Sequence, residues 1–148
     1  MDIILWRHAE AADGVPDLAR ELTAKGVKQA AKVAVFLHHH LPSHHRTLVS
    51  PATRTQQTAA ALGSHFTLVP TISPGASAEA VLHAARWPDA GGTVLVVGHQ
   101  PTLGEVAAQL LGCADATLSI KKGAIWWFSQ RDGSAQVSLR LVIAPDFL

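Results

Sequence analysis

The strongest constraint on the fold is a series of short apolar runs separated by stretches with helical spacing. Ile3 to Trp6 is wholly apolar, and Thr93 to Val97 is a largely β-branched run that ends at Gly98. Runs without polar alternation are typical of central strands that are covered on both faces. Because helical stretches separate the strands, we expect a three-layer α/β/α fold with a mostly parallel central sheet. We expect residues 1–148 to form a single domain.

The remaining elements follow from helix caps, periodicity and turn residues. The expected helices are 23–41, 51–63, 77 to 86 or 87, and 101–112. The expected further strands are 47–49, 66–69, 124–130 and 136–142. The second helix is placed by Ser50 and Pro51, because serine is a preferred cap and proline suits the first helical position. Asp132-Gly133 between the last two strands favours a hairpin, which we expect at one edge of the sheet.

Composition excludes several classes of protein. Cys113 is the single cysteine, which excludes an internal disulfide framework and a cysteine-based zinc cluster. The 12 Lys and Arg against 11 Asp and Glu give a formal net charge of +1, too small to hold nucleic acid by charge alone. No stretch approaches the roughly 20 apolar residues of a membrane span, and the run Ile3 to Trp6 is too short for a signal peptide. We therefore expect a cytoplasmic protein with no nucleic-acid or membrane partner.

Basic residues follow three of the predicted strands. Arg7 and His8 follow the first strand, Arg54 lies in the helix that follows the second, and His99 follows Gly98. In open α/β sheets, ligands bind beyond the carboxyl ends of the parallel strands, so these side chains should share one site. Arginine bridges phosphate oxygens bidentately, and imidazole can donate to an oxygen or attack phosphorus. The set predicts a site for a phosphoryl group in transit.

Four segments, in order along nearly the whole chain, resemble the histidine phosphatase superfamily, which has the phosphoglycerate mutase-like fold. Residues 5–10 (LWRHAE) resemble its R-H-G motif, and residues 50–59 (SPATRTQQTA) resemble its S-P-x-x-R-x-x-x-T-A segment. Residues 96–101 (VVGHQP) are similar to its second histidine motif. Residues 17–26 (DLARELTAKG) match D-x-x-R-x-L-T-x-x-G of the SixA-type phosphohistidine phosphatases. One departure is Ala9, which stands where the family usually has glycine.

The resemblance implies a role for each matching residue. His8 is the expected nucleophile, which becomes phosphorylated. Water then hydrolyses the phosphohistidine on His8, which is a form of covalent catalysis. Arg7, Arg54 and His99 are expected to hold the phosphoryl oxygens, with the backbone N–H of Gln100 as a further donor. No metal or other cofactor is implied. Arg20 has two interpretations: it reaches the rim of the phosphate site, or it pairs with an acid and fixes its loop.

The chain departs from the larger members of the family in two ways. About thirty residues separate Val69 from His99, which is too few for the helical cap insertion of those members. Their clear acidic proton donor before the second histidine is also missing. The candidates here are Asp17, in the loop near the end of the first strand, and Glu79, in the predicted third helix.

A missing general acid bears on the substrate. An alkoxide is a poor leaving group without an acid, whereas a protonated phosphohistidine releases neutral imidazole, whose conjugate acid has a pKa near 6.5. The lack of a cap also predicts an open site that a protein surface can approach. We therefore expect the substrate to be a phosphohistidine-bearing protein, such as a phosphotransfer domain in signal transduction. The alternatives are a phosphatase for small phosphate esters and a non-catalytic module that binds phosphate or a phosphoprotein.

Five of the nine histidines are crowded near the end of the first long helix: His38, His39, His40, His44 and His45. Histidine is a common metal ligand, but adjacent helical residues point about 100° apart and do not easily share an ion. Cationic groups also suit a helix C-terminus. The sequence leaves open whether this cluster binds metal.

Overall fold

The computed structural model describes residues 1–148, which form a six-stranded mixed sheet with helices on both faces. The elements in chain order are β1 (Asp2–Arg7), α1 (Ala24–His40), β2 (Arg46–Val49), α2 (Thr53–Ala60), β3 (Thr67–Leu68), α3 (Ala78–Ala85), β4 (Thr93–Gly98), α4 (Thr102–Leu110), β5 (Ile125–Gln130) and β6 (Val137–Ile143). The strand order is β3-β2-β4-β1-β5-β6. The first four strands are parallel, and β5 and β6 complete the sheet in antiparallel fashion at one edge.

The two faces of the sheet bury separate apolar clusters. On one face, α3 and α4 pack on side chains such as Ile3, Leu5 and Val96. On the other face, α1 and α2 pack on side chains such as Trp6 and Val97. The predicted three-layer α/β/α fold is therefore confirmed, and the wholly apolar strands are the central ones.

The structure has no helical cap insertion, as the spacing predicted. Between β2 and β4 the chain forms only α2, the two-residue β3, a short 3-10 helix at Pro70–Ile72 and α3. The site edge of the sheet is therefore not covered by a second layer of helices.

Two local predictions were wrong. The strand expected at 66–69 is only two residues long, with both residues exposed, because it lies at the edge of the sheet. The second helix begins at Thr53 and not at Pro51, and Ser50 does not cap it. The Ser50 hydroxyl is instead bonded to the histidine that follows β4, as described below.

The N-terminus of α1 is fixed against the segment that follows β1. Thr23 caps the helix by accepting from the N–H of Gly26, and its hydroxyl donates to the carboxylate of Glu10. Gly26 has no room for a side chain, because a Cβ there would overlap the carbonyl oxygen of Glu10. This glycine lets α1 approach the segment that follows His8 at backbone contact.

Candidate active site

Three neighbouring parallel strands deliver the site residues to one edge of the sheet. In the sheet order, β4 lies between β2 and β1, and its register pairs Val97 with Val49 and Gly98 with Arg7. The pairing continues past the strands, where the N–H of His8 donates to the Gly98 carbonyl at 3.0 Å. The residues that follow the three strands, His8, Ser50 and His99, are therefore adjacent.

His8 and His99 form a buried pair of rings. Their centroids are 5.4 Å apart, and the side chains are buried in the protein. His8 Nδ1 lies 2.7 Å from the carbonyl oxygen of Ala9, and a carbonyl can only accept, so the proton of the neutral ring lies on Nδ1. The lone pair is then on Nε2. Burial, with Arg54 and Arg7 nearby, lowers the pKa of His8 to about 4, so the neutral and nucleophilic form dominates near neutral pH.

His99 is positioned by Ser50. Its Nε2 lies 2.7 Å from the Ser50 hydroxyl, while Nδ1 has no partner within the protein. Burial, Arg54 and His8 lower the pKa of His99 to about 3, against a smaller opposing effect of Asp17. When the Ser50 hydroxyl donates to Nε2, the neutral ring carries its proton on Nδ1. His99 then presents a hydrogen-bond donor that nothing in the chain accepts.

Arg54 and Arg7 are held by backbone carbonyls. Arg54 is buried, and it donates to the Asp17 carbonyl at 2.8 Å and to the Asp17 carboxylate at 3.1 Å. Arg7 donates to the carbonyl of Ile120 at 2.8 Å, and burial lowers the pKa of Arg7. In both arginines the Nε atom is buried without a partner. The structure thus brings Arg7, His8, Arg54 and His99 to one end of the sheet, with unused donors among them.

Arg20 pairs with an acid and fixes its loop. This is the second of the two interpretations that the sequence allowed, the first being contact with the rim of the phosphate site. Its Nε donates to the Ala12 carbonyl at 2.8 Å, and its terminal nitrogen donates to Asp17 at 3.1 Å. Asp17 therefore bridges Arg20 and Arg54 at the mouth of the site. Hydrogen bonds from these two arginines hold the pKa of Asp17 below its usual range. Asp17 is consequently ionised near neutral pH and poorly prepared to donate a proton.

Glu79 lies in α3, as the sequence predicted, and the side chains of Glu79 and Gln100 are both bonded to groups in or near α4. Glu79 is fully exposed and accepts from the side chain of Gln109 at 2.8 Å, near the end of α4 that is distant from His99. The side chain of Gln100 bonds to the carbonyl of Leu118 and to the N–H of Gly104, so it anchors the start of α4. The backbone N–H of Gln100 donates to no acceptor in the chain and is still available as a donor.

Two polar residues that support the site were not singled out from the sequence. Ser50 was interpreted as a helix cap, although it lies at the end of a strand and next to β4. Thr58 accepts from the N–H of Ala9 at 3.0 Å and donates to the carbonyl of Arg54, so it joins the segment after His8 to α2. The four-residue spacing of Thr58 from Arg54, within the segment that resembles the family, was the available signal.

The histidine-rich stretch lies away from this site. The side chains of His38, His39 and His40 are exposed at the last turn of α1, and His40 stacks on Phe36 with centroids 4.1 Å apart. The structure contains no group of three or more His, Cys, Asp or Glu side chains arranged to hold a metal ion. None of its helices has the length and apolarity needed to cross a bilayer.

Comparisons with known proteins show the family to which the chain is similar. The family model for the histidine phosphatase superfamily (branch 1) matches residues 3–77. An uncharacterised protein of Picosynechococcus is 35% identical, with 100% of this chain and 99% of that protein covered. The phosphohistidine phosphatase SixA homologue of Haemophilus influenzae is 35% identical, over 76% of this chain and 78% of that protein. A solved structure of the protein histidine phosphatase SixA complexed with tungstate superposes with a TM-score of 0.84 at 25% identity, covering 99% of each chain.

Proposed function

The chain belongs to the histidine phosphatase superfamily, and we propose that it removes the phosphoryl group from protein phosphohistidine through a covalent intermediate on His8. One observation carries the proposal. Only three buried side-chain nitrogen or oxygen atoms have no hydrogen-bond partner: Nε of Arg7, Nε of Arg54 and Nδ1 of His99. Unpartnered buried donors are costly, and each calls for an explanation such as a missing ion. A tetrahedral phosphoryl group supplies the acceptors that these donors lack.

In the first step, Nε2 of His8 attacks the phosphorus atom. The bond from phosphorus to the substrate imidazole breaks, and its electron pair stays on the departing nitrogen. Arg7, Arg54 and His99 stabilise the negative charge on the equatorial oxygens, which is the main contribution a protein makes to phosphoryl transfer. The Nδ1–H of His8 stays bonded to the Ala9 carbonyl and stabilises the positive charge that develops on the ring.

In the second step, water attacks the phosphohistidine on His8. The bond from phosphorus to Nε2 breaks, inorganic phosphate forms, and His8 regains its lone pair. Splitting one displacement into two is the usual benefit of covalent catalysis. All these roles are filled by side chains, so the proposed reaction requires no metal ion.

The acids near the site favour phosphohistidine over an alkyl ester. Asp17 is ionised and paired with two arginines, and Glu79 is exposed and bonded to Gln109. An alkoxide leaving group needs a proton from a general acid, whereas protonated phosphohistidine leaves as neutral imidazole. The names of the SixA relatives point to the same substrate, and tungstate in one of their structures is, like phosphate, a tetrahedral dianion.

The test is a rapid-quench experiment, stopped with alkali, on a phosphohistidine protein labelled on phosphorus. Wild-type protein should release inorganic phosphate and carry a transient label that is stable to base and labile to acid. His8→Asn keeps a donor toward Ala9 and removes the nucleophile, so it should form no label. A phosphoserine peptide is the ester control, and faster turnover of that peptide would contradict the choice of substrate. Tight phosphate binding by wild-type protein without any label would instead indicate a binding module.

A further inference from the structure

All five lysines of the chain line one groove beside the active site. The groove has a volume of about 800 Å³, and Arg7 lies at its border with the site. Its charged lining comprises six cations, Arg7, Lys25, Lys28, Lys32, Lys121 and Lys122, and two acids, Glu10 and Asp146. Because the whole chain has a net charge of only +1, this groove concentrates positive charge that the rest of the surface offsets.

The lysines lie on two walls of the groove, and both walls are fixed to the end of β1. One wall is the exposed face of α1, where Lys25, Lys28 and Lys32 recur at helical spacing. The other wall is the turn that carries Lys121 and Lys122. The next residue, Gly123, donates to the carbonyl of His8 at 3.1 Å and accepts from the indole of Trp6 at 3.0 Å. The walls therefore hold a constant position relative to the nucleophile.

The positive charge of the groove is only partly offset within the chain, since two acids face six cations. The three ion pairs of the structure all use arginines, at positions 20, 54 and 140, and no lysine takes part. Glu10 is already engaged by the hydroxyl of Thr23. The lysine side chains are exposed and free to reorient, which suits a partner whose carboxylates are spread over a surface.

We propose that this lysine groove docks an acidic segment of the phosphoprotein substrate, next to the phosphohistidine that enters the active site. The inference rests on the proposed function, because it assumes that the substrate is a protein. Phe147 lines the same groove with 80% of its surface exposed, and an exposed aromatic side chain favours a protein partner over a free polyanion. Charge complementarity of this kind accelerates association more than it strengthens binding.

The kinetic test compares two phosphohistidine peptides of equal length, one flanked by Asp and Glu and the other by Ser and Asn. For wild-type protein, kcat/KM should be higher for the acidic peptide, by on the order of tenfold at low salt, and the preference should shrink as salt is added. Lys28→Glu and Lys122→Glu, on opposite walls, should each abolish the preference without changing turnover of the neutral peptide. Arg131→Glu is the matched control, because it makes the same change of charge at an exposed site outside the groove.

A binding measurement separates this proposal from the proposed function. Fluorescence anisotropy of the unphosphorylated acidic peptide needs no turnover, and the two lysine variants should bind it more weakly than wild type or Arg131→Glu. Equal binding by all four proteins would overturn the docking proposal even if phosphohistidine is hydrolysed. Tighter binding of a single-stranded oligonucleotide or a polyphosphate of equal charge would also overturn it, in favour of a polyanion site.

Discussion

Acidification should destabilise this protein through the two histidines of the site. The native pKa values of His8 and His99 are about 4 and about 3, below the ordinary value of 6.5 that applies to the unfolded chain. Between pH 6.5 and pH 4, the unfolded chain therefore binds protons that the native protein does not. The unfolding free energy is unaffected by these groups above about pH 6.5 and falls as the pH decreases below it.

The size of the effect at pH 5 depends mainly on the unfolded state. At that pH both rings are still neutral in the native protein, whereas pH 5 lies 1.5 units below their pKa of 6.5 in the unfolded chain. Each ring therefore lowers the unfolding free energy by about 2 kcal/mol relative to neutral pH. The pair together costs about 4 kcal/mol, a large part of the 5–15 kcal/mol by which proteins are ordinarily stable. With a urea m-value of about 2 kcal/mol/M, the unfolding midpoint should decrease by about 2 M.

Urea unfolding at several pH values between 7.5 and 5 measures this effect. His8→Asn retains a donor toward Ala9, and His99→Gln retains a group that can bond to Ser50, so both variants should fold. Each should lose about half of the pH-dependent change in unfolding free energy. His44→Asn, which removes an exposed imidazole outside the pocket, is the matched control. If the double variant showed the same pH dependence as wild type, the assignment of two buried neutral histidines would be refuted.

Three further predictions concern single side chains. Arg54→Ala should lower kcat by on the order of 10² or more, as loss of a transition-state donor does, and single-turnover kinetics against the exposed-site variant Arg131→Ala measures this. Glu79→Gln should leave the kcat and the pH–rate profile on phosphohistidine unchanged, because the carboxylate is exposed and bonded to Gln109; loss of the basic limb, where a general acid loses its proton, would identify it as the proton donor. Gly26→Ala should lower the unfolding free energy by roughly 1–3 kcal/mol through overlap with the Glu10 carbonyl, whereas Gly14→Ala, where a Cβ meets no atom closer than 3.8 Å, should not.

Local patterns were sufficient for most of the fold. The bounds of α1 and β4 and the edge hairpin follow from caps, periodicity and turn residues, which act over a few residues along the chain. The second helix shows the limit of such patterns. Ser50 has the residue type of a helix cap, but the neighbouring strand places His99 within hydrogen-bonding distance, and that longer-range contact prevails.

The sequence by itself determined which basic groups would meet at one edge of the sheet and which strand ends would present them, because the motifs lie beside short, unambiguous apolar runs. Only the tertiary structure decided how those groups are partnered: Asp17 between two arginines, Glu79 against Gln109, and every lysine on one groove. The physical reason is that periodicity specifies which face of an element is buried. The pairing of polar side chains depends on sheet register and helix packing, which join residues distant along the chain.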